Sequence, residues 1–252
     1  MSYYLNRAIE LKKEFGIKTS FLYFIYLFEL FLSKLGVGKR KNCAGCGTKR
    51  SVFLPMFVPP NHIRSYFSCP QCGISARHLY YAQLSRKYIF PKLDSAKEYV
   101  VYHFIPENAL ITIWKEKLPK SNYTLTCYPE KMDGYELLDL KKLAIADASI
   151  DIILINHVLS CTDDISNVFK ELYRVLKIGG LVIAGEAVFD QKTTKELTQF
   201  NAYGTRYRSF GVLDLADVVE PFTQFEIVKD LSVMESFSSE FLPEESLMVL
   251  RK

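Results

Sequence analysis

At 252 residues the chain is long enough for one large domain, or a medium one with additions, and can bury a sizeable core. Its 49% hydrophobic and 24% charged residues, with mean hydropathy near zero, exclude a disordered chain. The net charge of +4 hides an asymmetry: residues 1–97 hold 16 Lys/Arg against 4 Asp/Glu, net +12, so the remainder is net −8. A basic front half suits contact with phosphate, nucleic acid, lipid headgroups or the acidic back half, and equally a silent solvated bias.

The first 15 residues are polar and helix-compatible, and Gly16 is placed to end that helix. Residues 20–35 read as a second helix, apolar except for a narrow stripe of Tyr23, Tyr26, Glu29 and Ser33. The run is short for a membrane span, and Glu29 sits near its middle. Lys12, Lys13 and Lys18 precede it, and Lys39, Arg40 and Lys41 follow. Three readings stay open: a helix lying on an anionic membrane surface, a helix for a partner protein, or one packed on its own chain. Charges scattered over the first eighteen positions, with no small-residue cleavage site, argue against a signal peptide. The expected location is cytoplasmic, with membrane-peripheral attachment as an option. In a reducing compartment, paired cysteines read as metal ligands rather than disulfides.

Cys43-Ala-Gly-Cys46 and Cys69-Pro-Gln-Cys72 are two CxxC knuckles, each followed by glycine, at Gly47 and Gly73. Four thiolates gathered tetrahedrally are what a structural Zn²⁺ prefers, and four ligands leave no open catalytic position. Glycine after each second cysteine lets the backbone turn so that amides face sulfur. Residues 51–58 and 63–68 between the knuckles read as short strands, giving a zinc ribbon over residues 41–95 with a linker helix at 73–88. That helix interleaves Arg77, His78, Arg86 and Lys87 with tyrosines. Such a pattern fits packing on the next domain; gripping RNA by phosphate contacts and stacking is the alternative.

Residues 98–104 read as a strand. The loop His103-Phe104-Ile105-Pro106-Glu107 follows, then a helix over residues 107–118 with Pro106 in its first turn. Residues 122–128 read as the next strand. A polar stretch then leads to the β-branched run 150–155, nearly continuous in apolar residues and so read as a strand buried on both faces of a parallel sheet. Asn156 and His157 end it. Asp163 and Asp164 can cap a helix to about residue 176, Gly179-Gly180 stops that helix, and a buried strand begins at Leu181. Strand, crossover helix and strand make a βαβ unit, which directs Asp139, Asn156, His157 and Glu186 towards one crevice beyond the carboxyl ends of the strands.

The run Asp139-Leu140, Leu143 to Ile145, Asp147 to Asp151, Asn156-His-Val-Leu159 and Glu171-Leu-Tyr-Arg-Val-Leu-Lys-Ile-Gly-Gly180 resembles the second half of a class I S-adenosylmethionine-dependent methyltransferase of type 11-like sequence. With the cysteine knuckles it resembles a bacterial group of such enzymes that carry an N-terminal zinc ribbon and often accompany sugar or cell-surface biosynthesis. The resemblance implies an α/β, Rossmann-like sheet over residues 96–252, preceded by a helical segment (1–40) and a small four-cysteine zinc ribbon. It implies S-adenosylmethionine as cofactor and a structural Zn²⁺ on Cys43, Cys46, Cys69 and Cys72. Cofactor contacts fall on His103, Phe104, Ile105, Pro106, Glu107, Asp139, Leu140 and Asn156, and His157 is the candidate catalytic residue.

Two departures bear on activity. The usual glycine-rich cofactor loop is replaced by His103-Phe-Ile-Pro-Glu107, which the zinc-ribbon group shares; the free amides of a helix N-terminus can still face a carboxylate there. The acidic residue expected near Thr126 or Cys127 is absent, with Glu130 or Asp133 as substitutes. Residues 191–211 hold Tyr203, Arg206, Tyr207 and Arg208, which suit an anionic acceptor, a small molecule or one linked to glycan or nucleotide. A helix is expected at 212–219 and a final antiparallel pair at 225–231 and 246–250. Three functions remain: methyl transfer to such an acceptor, methyl transfer to RNA, or a degenerate fold serving as a non-catalytic adaptor.

Overall fold

The computed structural model describes residues 2–49, 51–58, 62–197, 200–201, 204–205, 208–234 and 244–252. The chain forms two compact units, Met1–Leu79 and Tyr80–Lys252.

The first unit opens with α1 (Ser2–Phe15) and α2 (Ile17–Lys34), separated by Gly16 at φ +92°. Strands β1 (Arg40–Lys41) and β2 (Ser51–Val52) form one antiparallel pair, β3 (Leu54–Val58) and β4 (His62–Ser68) another. Ala8 and Leu11 of α1, Tyr23, Tyr26 and Leu27 of α2 and Phe57 of β3 make one small core, so the lead-in helices and the ribbon strands are a single packing unit. The polar stripe expected on α2 faces this core. Tyr23 and Ser33 are buried, and Tyr23 and Tyr26 pack on the Phe57 ring at 5.2 and 5.8 Å. No described helix is long and apolar enough to cross a membrane.

The second unit begins inside α3 (Ala76–Leu84), which continues as a π-turn (Ser85–Ile89). The remaining helices are α4 (Asn108–Lys117), α5 (Ile165–Val175) and the short α6 (Leu215–Val218), where a longer helix was expected. Its sheet contains β5 (Val100–Phe104), β6 (Asn122–Cys127), β7 (Glu136–Leu137), β8 (Ile150–Asn156) and β9 (Leu176–Phe189). Further along the chain come β10 (Lys195–Glu196), the pair β11 (Phe200–Asn201) and β12 (Gly204–Thr205), then β13 (Arg208–Gly211), β14 (Gln224–Val228) and β15 (Glu245–Arg251). The main order is β7-β6-β5-β8-β9-β15-β14, parallel from β7 to β9 and antiparallel thereafter. Beyond this path β13 joins the end of β9, and β10 joins β13. Ile152 to Ile155 of β8 are all buried, as a strand covered on both faces demands.

One boundary differs from the sequence reading. Helix α5 ends at Val175, and the strand starts at once, at Leu176, before Gly179-Gly180. Leu176 pairs with Ile150, and the register then shifts so that Leu181 pairs with Ile152. The glycines therefore sit in this irregular stretch, where Gly179 takes φ +78° and a Cβ on Gly180 would lie 2.8 Å from the Lys177 carbonyl. Asp164 caps α5 as expected, accepting from the amide of Asn167 at 3.1 Å.

Candidate functional site

Beyond the carboxyl ends of β5, β6 and β7 lies a cleft of about 570 Å³. Phe104, Ile105, Thr126, Leu138 and Leu140 give it a mostly apolar floor, and Val158, Cys161, Thr162 and Asp163 lie among its other walls. Ile105 takes φ +46°, the left-handed region that disfavours a β-branched residue. Its amide is held by the Thr126 carbonyl at 3.1 Å. The loop thus makes, without glycine, the turn that glycine would make readily, and it holds the strain in place by strand pairing. Pro106 and Glu130 line a smaller adjoining cleft of about 350 Å³. Glu107 is the half-buried N-cap residue of α4.

Asp139 is the acidic group on the cleft floor side. Its Oδ1 accepts from the Lys141 amide at 2.9 Å. Lys141 and Asp163 pair at 3.1 Å on the rim, and the lysine is held above its ordinary value by that partner. The loop carrying these residues is tied to α5. Arg174 donates to the carbonyls of Leu143 (2.9 Å) and Ile145 (2.8 Å) and to Glu171, which itself accepts from the Leu143 amide at 2.8 Å. Hydrogen bonding from Arg174 holds the Glu171 carboxyl below its ordinary value, against burial.

The four residues directed to one crevice by strand-end logic divide into two groups. Asp139 lines the cleft. Asn156, His157 and Glu186 are not among its lining residues; the first two are half-buried, Glu186 is fully buried, and they belong to a cluster that sequence reasoning did not complete. His157 adopts φ +53°, and its amide donates to the Gly185 carbonyl at 2.8 Å. Nε2 lies 2.6 Å from the Tyr81 hydroxyl and 2.9 Å from Glu245, while Nδ1 is 3.9 Å from Glu186. The Tyr81 hydroxyl donates to Glu245. Glu186 is fully buried and accepts from the Ser160 amide at 3.2 Å. Asn156 uses its Oδ1 on the Gly185 amide, at 3.2 Å. Nothing local in the sequence pointed to Tyr81 or Glu245.

His103 is buried with Nδ1 2.7 Å from the Tyr123 hydroxyl, away from the cleft. Thr126 and Cys127 line the cleft in place of the missing acid. Of the expected acceptor residues, Tyr203, Arg206 and Tyr207 lie outside the described residues. Arg208 is 2% exposed and is not presented to an acceptor. Its donors go to the carbonyls of Leu159, Thr162 and Asp163 and to Glu196, so it braces the cleft wall from behind.

In the first unit the four cysteine sulfurs all lie within 4.8 Å of one another, with Cys43–Cys72 and Cys46–Cys69 at 3.8 Å. A tetrahedron with Zn–S bonds of about 2.3 Å has edges of about that length. The knuckles are near copies: Gly47 (φ +74°) and Gly73 (φ +72°) donate back to the Cys43 and Cys69 carbonyls at 2.8 and 2.9 Å. Burial pushes the Cys43 and Cys72 thiols up. Burial pushes Cys46 up too, but hydrogen bonds from Thr48 and the neighbouring thiols outweigh it and bring it down to about 6. The donor set fits a four-thiolate metal centre.

Residues 92–184 match a family model described as a methyltransferase domain. Over 66 residues the chain is 38% identical to an arsenite methyltransferase of Aquipseudomonas alcaligenes, a match covering 26% of this chain and 19% of that enzyme. The chain is therefore aligned with about a fifth of the curated relative it matches. Among solved structures, the CurJ carbon methyltransferase superposes with a TM-score of 0.52 at 16% identity, covering 70% of this chain and 55% of that one. A Burkholderia thailandensis 1,6-didemethyltoxoflavin-N1-methyltransferase, solved with S-adenosylhomocysteine, gives a TM-score of 0.46 at 12% identity, covering 79% of this chain and 98% of that one. Residues 92–184 thus carry a methyltransferase-domain sequence, and the chain shares a Rossmann-like α/β fold with the CurJ carbon methyltransferase.

Proposed function

We propose that the chain transfers a methyl group from S-adenosylmethionine to a small or glycan- or nucleotide-linked acceptor, and that a structural Zn²⁺ holds its cysteine knuckles. The observation that carries this reading is the cleft at the ends of β5 to β7, with Asp139 beside it and Ile105 turned left-handed at its edge. When bound, the cofactor supplies an electrophilic methyl on a sulfonium. The chain's part is binding and placement. Phe104, Leu138 and Leu140 would supply an apolar face to the adenine, and Asp139 would offer a carboxylate to hydroxyl or amine donors. The N-terminus of α4, which follows Pro106 and Glu107, would offer amide donors to a carboxylate. His157 is clamped by Tyr81 and Glu245 and fixes the backbone leading into Val158, a cleft wall. The acidic back half disfavours a polyanionic nucleic acid at the cleft, whereas Tyr203, Arg206 and Tyr207 suit one or two phosphates or carboxylates on an acceptor. The arsenite methyltransferase and the CurJ carbon methyltransferase do not agree on an acceptor atom.

Calorimetry of zinc-loaded protein with S-adenosylmethionine and S-adenosylhomocysteine tests this. Binding in the micromolar range that Asp139→Ala weakens at least tenfold is the expected result. No heat at millimolar cofactor would leave the fold as a non-catalytic adaptor.

A further inference from the structure

Helix α2 is turned inside out. Ile17, Phe21, Phe24, Phe28, Phe31 and Leu35, spaced four and three apart along one face, are 69, 67, 47, 63, 57 and 63% exposed. Its polar residues Thr19, Ser20 and Ser33 are buried. An amphipathic helix places its apolar stripe against whatever covers it, and within the first unit the small core covers the opposite face. Isolated exposed apolar residues need no explanation, but a continuous aromatic face of this length does.

Charge selects the occupant. Residues 1–41 hold eight Lys/Arg against three Asp/Glu, with Lys12, Lys13 and Lys18 around the start of the stripe and Lys34 and Arg40 around its end. At its end lies a cavity of about 410 Å³ lined by Ser33, Lys34, Arg40 and Ser51 among others, with no carboxylate among its lining residues. A second copy of this helix would bring lysines against lysines in either orientation. An anionic bilayer meets both features at once, burying the stripe and neutralising its ends. With 18 residues and no capacity to span, the helix would lie along the surface.

We propose that the α1–α2 hairpin docks this protein on anionic membranes, with the Phe21, Phe24 and Phe28 face in the acyl boundary and Lys34 and Arg40 taking a headgroup phosphate. This surface belongs to the first unit and the methyl-transfer cleft to the second, so cofactor binding neither supports nor weakens the proposal.

The test is co-flotation of the zinc-loaded full chain with vesicles of phosphatidylcholine alone or mixed with phosphatidylglycerol. Expected is binding to the mixed vesicles only, weakened by salt and falling roughly a hundredfold in Phe21→Ser/Phe28→Ser. Both sites are exposed, and unchanged circular dichroism and zinc content would show that the variant folds. Lys34→Glu/Arg40→Glu should abolish the preference for phosphatidylglycerol. The proposal is overturned by absent or lipid-independent binding, or by full binding of the serine variant. It is equally overturned if light scattering shows a dimer that the serine variant splits while vesicles are ignored, since a second copy then covers the face.

Discussion

The Tyr81 hydroxyl lies 2.6 Å from Nε2 of His157, 76 positions further along the chain. Gly185 makes that approach possible. A Cβ there would stand 2.5 Å from the Tyr81 ring and 2.5 Å from Asn156 Oδ1. Both neighbours are fixed, the ring by burial and the amide by its own hydrogen bond. Gly185→Ala should therefore cost about 2 kcal/mol or more of stability, as overpacking does. Tyr81→Phe keeps the ring and removes only the hydroxyl, costing about 1–2 kcal/mol. Urea unfolding of both variants checks the order, and a larger loss for Tyr81→Phe would contradict it.

The strain at Ile105 gives a second expectation. A left-handed non-glycine residue costs about 1–2 kcal/mol, and glycine's extra unfolded-state freedom costs about 0.5–1 kcal/mol. Ile105 is 43% exposed, so little burial is lost on substitution. Ile105→Gly should leave the melting temperature unchanged or raised and should tighten S-adenosylhomocysteine binding by opening the backbone. Thermal scans and calorimetry measure both.

Acid should loosen the clamp on the Asp139 loop. Glu171 has a folded pKa below its ordinary value of 4.5, chiefly through Arg174. A depressed carboxylate contributes stability above its unfolded value and loses it as pH falls through the folded one. Arg174→Met should therefore cost about 2 kcal/mol near neutral pH. The gap from wild type should shrink steadily below 4.5. Denaturant midpoints across that range test the sign; a gap widening in acid would reject the assignment.

The cysteine knuckles should hold one zinc per chain. A structural zinc contributes folding energy outright, because the unfolded chain has no preformed site. Emission spectroscopy should find the metal in wild type and not in Cys69→Ser, and a chelator should make the first unit protease-sensitive. Retention of stoichiometric zinc by Cys69→Ser would exclude the four-thiolate site.

Much of this was legible in the order of residues alone. The β8 run, the Asp164 cap and both CxxC knuckles announce themselves because each is a short local pattern with one physical meaning: burial on two faces, a free amide to cap, a metal to share. Glu171 and Arg174 were visible as a motif, although their grip on the Leu143 and Ile145 carbonyls was not. The missing glycines were visible too, but not that Ile105 takes their conformation, since only pairing with β6 holds a β-branched residue there.

Sequence by itself determined the class of fold and singled out the four cysteines and Asp139 as candidates, because hydrophobic period and ligand spacing are local quantities. Tertiary structure decided the rest. It brought Tyr81 and Glu245 to the His157 imidazole from 76 and 88 positions away. It also turned the apolar face of α2 outward, by committing the polar face to Phe57 and α1. Which face of an element meets the core depends on what else is there to cover it, and no stretch of sequence contains its own partner.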